Sequence, residues 1–247
     1  MSRFFYTAGQ RQGNEVTLTG DDANHLRRVL RSGPGDEIEL CDEAGGCRLA
    51  AITAVEKESV SCQLGMLLPD SEARVRIYLA FALLKGEKTD FVLQKATELG
   101  VAGFLPFISE RTISRPDKKT EARLQRWEKI IRAAAGQSRR SLLPSIAAPL
   151  DWTELVKTIP AYQKAVLFWE GEKNRPLAAA LEGISPAGNL LLITGPEGGF
   201  SREEALAAAD SGACPVTLGP RILRAETAAL TAVAVSLYQL GEMEGRP

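Results

Sequence analysis

Up to Pro69 the apolar and polar residues change places over short distances. RFFY, EVTLT, DEIEL, CRLAAITAV and SVSCQLG read as strands, and turn signals such as SGPGD and DEAGG punctuate them. The pattern predicts a small β-barrel. One helix interrupts it, DDANHLRRVLR, with Asp21 or Asp22 as N-cap and Leu26, Val29 and Leu30 forming an i, i+3, i+4 apolar stripe. Arg27, Arg28 and Arg31 then fall on the other side, and His25 reads as a packing or capping residue.

LLPDSEARVR, residues 67–76, reads as a linker, after which strand and helix signals alternate. RVRIYLAFAL is a strand, GEKTDFVLQKATELG a helix ending at Gly100, and VAGFLPFI a second strand. KKTEARLQRWEKIIRAAAGQSRR is a long amphipathic helix whose Leu124, Trp127, Ile131 and Ala135 keep helical spacing. KAVLFWE, NLLLITG and CPVTLG are further strands, and TAALTAVAVSLYQL is an apolar closing helix. This alternation predicts an α/β domain over residues 73–247, a mostly parallel sheet with helices on both faces, following the barrel of residues 1–70. No internal repeat or low-complexity stretch is present.

Composition narrows the chemistry. With 45% apolar and 25% charged residues the chain reads as a soluble globular protein. No window approaches the roughly 18 apolar residues of a membrane span, and the first residues lack the apolar core of a secretory signal, so a cytoplasmic location is expected. Four cysteines, at 41, 47, 62 and 214, form no C-x-x-C pair, and the single histidine leaves no ligand set for a metal. Cys41 and Cys47 flank DEAGG and face each other if that segment is a hairpin. A reducing compartment favours free thiols there, and thiols are expected.

The whole-chain charge of -1 hides a segregation: 7 Lys/Arg against 12 Asp/Glu in residues 1–72, 15 against 7 in 73–150, and 8 against 12 in 151–247. The basic middle segment predicts a polyanion partner, with solvated helix faces as the alternative.

Two glycine-rich loops leave strands in the second half, ITGPEGGFSREEA (residues 193–205) and LGPRILRAETA (residues 218–228). Neither carries the Gly-Lys-Ser/Thr of a P-loop nor the G-x-G-x-x-G of a dinucleotide fold. In a parallel sheet, ligands sit beyond the carboxyl ends of strands, and glycine lets the backbone approach them closely. These loops are the candidate binding site.

GPEGGFSREE, LGPRILRAETA, LLKGEKTDFVLQKATELGV and the N-terminal RFF with HLRRVLR together resemble the bacterial 16S ribosomal RNA uracil-N3 methyltransferases, the ribosomal small-subunit methyltransferase E family of the SPOUT superfamily. The resemblance runs through both halves in the same order. It implies a PUA-like RNA-binding barrel, a trefoil-knotted α/β domain, a homodimer, and S-adenosylmethionine as methyl donor. It places the cofactor against Thr194, Gly195, Glu197, Gly198 and Gly199 of one loop, and Leu218, Gly219, Ile222, Leu223, Arg224 and Thr227 of the other. Methylation of uracil N3 requires loss of its proton and stabilisation of charge on the flanking carbonyls. Arg224 is the candidate stabiliser, and Glu197 and Glu226 are the candidate proton acceptors, with loss to water as the alternative. Glu226, near the start of the last helix, also reads as a cap with a lowered pKa. Glu197 also reads as a partner for backbone N–H groups.

The partner implied is 16S rRNA in the small ribosomal subunit. Arg3, Arg27, Arg28, Arg31, Lys85, Lys88, Arg111, Arg115, Lys118, Arg123, Arg126, Arg139 and Arg140 are the candidates to meet its phosphates. One departure stands out: where the family commonly has Ala-Glu-Gln, this chain reads Ala135-Gly136-Gln137. An RNA-binding assembly factor without catalysis, and a ribose 2'-O methyltransferase, are the rival readings.

Overall fold

The structure is a computed structural model that describes residues 2–113 and 120–244. Contacts group the chain into two units, Met1–Glu72 with Arg132–Leu143, and Ala73–Ile131 with Pro144–Pro247.

In the first unit six strands form one curled sheet, a half-barrel. They are β1 (Arg3–Phe5), β2 (Arg11–Gln12), β3 (Glu15–Thr19), β4 (Glu37–Cys41), β5 (Cys47–Val55) and β6 (Ser59–Leu67), in the order β1-β4-β5-β6-β3-β2. All pairs are antiparallel except β1 with β4. Alternation does the sorting. In β3, Val16 and Leu18 point inward while their neighbours are exposed, and they join Phe4, Leu26, Leu40, Ile52 and Val60 in one core.

The helix in this unit departs from expectation. α1 (Gly20–Asn24) starts from Thr19 rather than from an aspartate, and the chain then widens into a π turn, His25–Leu30, that ends at Arg31 with φ 55°. The wider turn breaks the 3.6-residue period. Leu26 is fully buried, but Val29 and Leu30, expected on the same stripe, are 66% and 40% exposed. His25 packs edge-on against Phe4, 5.9 Å between centroids.

The expected free thiols at Cys41 and Cys47 are also corrected: the two are joined in a disulfide. Antiparallel register sets Cys41 opposite Cys47 at the end of the β4–β5 pair, with Cα atoms 4.0 Å apart. Both are buried, so the hairpin itself brings the two sulfurs together.

The second unit alternates strand and helix. Its elements are β7 (Arg76–Ala82), α2 (Lys88–Leu99), β8 (Gly103–Ile108), α3 (Thr120–Gln137, whose last residues belong to the first unit), β9 (Ser145–Ile146), β10 (Leu150–Asp151), α4 (Trp152–Thr158), β11 (Lys164–Phe168), α5 (Leu177–Leu181), β12 (Asn189–Thr194), α6 (Arg202–Asp210), β13 (Ala213–Val216) and α7 (Ala225–Gln239). Every pairing is parallel, in the order β10-β8-β7-β12-β11-β13, with β9 beside β8.

Strands buried on both faces read as continuous apolar runs. Ile77, Leu79 and Phe81 of β7 share a core with Val92 of α2, Trp127 and Ile131 of α3, and Val233 of α7. Ala80 and Ala82 face the other core, with Leu155 of α4 and Ala205 and Ala208 of α6. Helices therefore cover both faces. No helix among the described residues is long and apolar enough to cross a membrane.

Candidate functional site

β12, β11 and β13 are neighbours and run the same way, so their carboxyl ends open side by side. The loops that follow them line one cavity of about 330 Å³. Gly195, Glu197, Gly198 and Gly199 come from the loop after β12, and Leu218, Gly219, Ile222 and Leu223 from the loop after β13. The third wall, with Trp169, Glu170 and Lys173, follows β11 and was missed in the sequence. Its segment WEGEKNRP carries ordinary turn residues, Gly171, Asn174 and Pro176, but not the Gly-Pro step of the other two loops. Only the position of β11 between β12 and β13 brings it into the site.

Three expected cofactor residues lie outside this lining. Thr194 is buried at the end of β12 with its hydroxyl unpaired among the described residues. Arg224 is the N-cap residue of α7 and Thr227 sits in that helix's first turn, both exposed.

The glycines have distinct reasons. Gly219 has φ +97° and nothing within 4 Å of where a Cβ would stand. Gly199, at φ +67°, would place a Cβ 2.0 Å from Glu170 Oε1. Gly198 faces protein: its Cβ would meet the Arg111 side chain at 3.1 Å, and its carbonyl accepts a hydrogen bond from Arg111 Nη1 at 3.1 Å. Beneath this loop Phe200 stacks on Phe107 and leans on Trp152, while Ser201 and Glu204 close a capping box at the start of α6.

A charged cluster lies behind the wall. Lys88 Nζ, at the start of α2, is 3.2 Å from Glu226 Oε2 and 3.8 Å from Glu197 Oε1. Glu197 Oε1 also accepts from the backbone N–H of Lys85, at 3.3 Å, so the amide it satisfies belongs to the loop after β7 and not to its own turn. Lys88, expected on RNA phosphates, is instead turned into these ion pairs. Burial pushes the Glu226 carboxyl up, but its own backbone N–H, the Lys88 ammonium and the Arg224 guanidinium together hold it below the ordinary 4.5. It stays ionised at neutral pH and is a poor general base.

The basic residues sort by what already holds them. Arg3, 8% exposed, pairs with Glu39 at 2.8 Å and donates to the Arg139 carbonyl. Arg140, 5% exposed, grips Glu72 through its Nε, 2.9 Å from each carboxylate oxygen. Both were expected on phosphates, and both are corrected to internal ion pairs because an acidic partner lies beside each, Glu39 buried and Glu72 half-buried. Arg126 pairs with Asp90, and Arg123 lies over the Trp127 ring, 5.9 Å from its centroid. Arg28, Arg31, Lys85, Arg111 and Arg139 are exposed. Arg27 and Arg28 line a cleft of the first unit with Lys57, which the sequence reading missed, and with Asn24 and Ser59. Arg115 and Lys118 lie outside the described residues. Among the described residues no group of three or more His, Cys, Asp or Glu is placed to hold a metal ion.

Gly136 also finds its reason. A Cβ there would stand 2.8 Å from the Arg3 carbonyl oxygen, so the close approach of two backbones in the first unit excludes a side chain unless one of them shifts.

Residues 71–237 match the RNA methyltransferase domain family, and residues 18–65 the RNA methyltransferase PUA domain family. A ribosomal RNA small subunit methyltransferase E from Bacillus subtilis is 31% identical, over 99% of this chain and 99% of its own. The chain belongs to the ribosomal RNA small subunit methyltransferase E family. A second member, from Synechocystis, is 37% identical over 89% of this chain and 71% of its own. The crystal structure of a family member from Neisseria gonorrhoeae bound to S-adenosyl methionine superposes with a TM-score of 0.85 at 32% identity, covering 96% of this chain and 97% of that one.

Proposed function

We propose that this methyltransferase uses S-adenosylmethionine to methylate N3 of a uridine in 16S rRNA, acting on the assembled small subunit near the decoding centre, as a cytoplasmic homodimer. The observation that carries the reading is the convergence of three loops, two of them the glycine-rich segments quoted above, on one cavity at adjacent parallel strand ends. A volume of about 330 Å³ is within the range of small-molecule sites, and the open side of Gly219 leaves room that a Cβ would fill. Glu197 and Glu170 on the wall offer carboxylates to a cation, alongside Lys173 and Arg221 in the same lining. The chain thus fits the cofactor, which when bound supplies an electrophilic methyl group on a sulfonium.

The chain's own residues then do the rest. Backbone groups of residues 195–199 and 218–223 hold the ligand and exclude water. The Arg224 side chain is exposed, and its guanidinium stabilises the negative charge that develops on the uracil carbonyls as N3 loses its proton. Glu197 lines the cavity and is the better-placed proton acceptor. Glu226 is held ionised by Lys88 and Arg224. Exposed Arg28, half-buried Arg27 and the cleft they line suit RNA phosphates. The late entry of β12 between β7 and β11 supports a knotted path, and exposed Tyr238 and Val235 on the apolar helix α7 support dimerisation.

The test incubates the protein and S-adenosylmethionine with small subunits, or with free 16S RNA, from cells lacking the enzyme. A methyl on N3 blocks the Watson-Crick edge and stops reverse transcriptase, and mass spectrometry confirms the nucleoside. Subunits are expected to be the better substrate. A methylated ribose, or tight RNA binding without methylation, would overturn the reading.

A further inference from the structure

Lys88 opens α2, where the positive end of the helix dipole disfavours a cation. Its place there is compensated by what it meets. Within 4 Å of its ammonium lie one carboxylate from the loop after β12 and one from the first turn of α7, Glu197 and Glu226. Glu226 is 14% exposed at its side chain, and among the described residues Lys88, 3.2 Å from its Oε2, is the ion-pair partner of that buried oxygen, with the Arg224 guanidinium adding to the same field. Of the three, only Glu197 lines the cavity. Lys88 and Glu226 lie outside its lining, so Lys88 can reach the cavity through Glu197.

We infer that Lys88 is a positioning residue for the cofactor cavity, locking the loop after β12 to the first turn of α7 by neutralising one of two carboxylates that otherwise repel each other. The inference rests on the reading that this cavity holds S-adenosylmethionine. Without the ammonium, a nearly buried carboxylate loses its ion-pair partner, and relief comes by Glu226 swinging out and Glu197 with its loop moving away from it.

The experiment compares wild type, Lys88→Met, Lys88→Arg and the double variant Lys88→Met/Glu226→Gln. It uses calorimetric titration with S-adenosylmethionine, and amide hydrogen exchange on the ligand-free protein. Lys88→Met is expected to weaken binding about tenfold and to speed exchange in residues 195–199 and 225–228. Lys88→Arg, which keeps the charge, and the double variant, which removes the orphaned carboxylate, are each expected to stay within about threefold of wild type. Loss of packing alone gives no rescue by the double variant, so an unrescued loss overturns the inference, as does wild-type binding or exchange in Lys88→Met. Failure of the wild type itself to bind overturns the cofactor reading, and the inference with it. Binding by the wild type alongside an unaffected Lys88→Met overturns the inference alone.

Discussion

Four glycines open the backbone of the second unit's cavity to a ligand, whereas the basic surface of the first unit is made of side chains. At the ends of β11, β12 and β13, position alone puts three loops together, and Gly199 and Gly219 adopt left-handed conformations that need no partner. In the first unit Arg3, Arg132 and Arg140 are held by Glu39, Asp22 and Glu72. The helix-turn arginines left facing outward are Arg28 and Arg31, with Arg27 half-buried. A site made from main-chain groups survives changes of neighbouring charge. One made from charges exists only where the protein has not already neutralised them, because a buried ion pair keeps its cation from any outside anion.

The sharpest break of this comparison is a side chain in the backbone-built wall. Gly219→Val forces a branched residue to φ +97° and sends its Cβ into space that nothing else occupies. Calorimetry should show S-adenosylmethionine affinity falling by about 100-fold or more, and unfolding should register the roughly 1–3 kcal/mol that the strained backbone costs. Gly198→Val meets Arg111 first, so its effect passes through the loop and is expected to be nearer tenfold. Equal losses would show that both glycines face the ligand, against the geometry.

On the side-chain-built unit the two kinds of arginine should separate. Arg140→Ala leaves Glu72 buried without its cation, and thermal or denaturant unfolding should register about 3 kcal/mol of lost stability. Arg28→Ala should leave stability unchanged. Its expected cost is in RNA binding, about threefold in affinity and about one unit in the slope of log affinity against log salt. A stable Arg140→Ala with weakened RNA binding would reverse the assignment.

How much of this was legible follows the same divide. The strand and helix order could be read because strands buried on both faces are apolar throughout and α2 ends on Gly100, at φ 116°. The two glycine loops could be read because a backbone site advertises its conformational demands. The loop of Trp169 and Glu170 could not, since strand order is not written in the strand. Nor could the fate of Arg3, Arg140 and Lys88: their carboxylate partners are 36, 68 and, for Glu226, 138 positions away in the chain. Helix α4 was overlooked although Asp151 and Glu154 form a capping box, a signal that was present in DWTE. The π turn hid Val29 and Leu30, because a period of 3.6 was assumed where the chain does not keep it.

The smallest expected effect asks whether one side-chain charge contributes to the backbone-built region. Glu226 titrates below 4.5 in the folded chain, where burial alone would raise it and Lys88, Arg224 and its own N–H win. A depressed carboxylate contributes stability that is present above the unfolded value and lost as pH falls through the folded one. Protonated glutamate and glutamine are nearly the same group. Wild type should therefore melt higher than Glu226→Gln at neutral pH, and the difference should shrink as pH drops below 4.5 and vanish once the carboxylate is neutral. Melting curves of both proteins across that range measure it directly. A difference that stays constant with pH would mean that the shape of the side chain, and not its charge, holds α7 to the loops beside it.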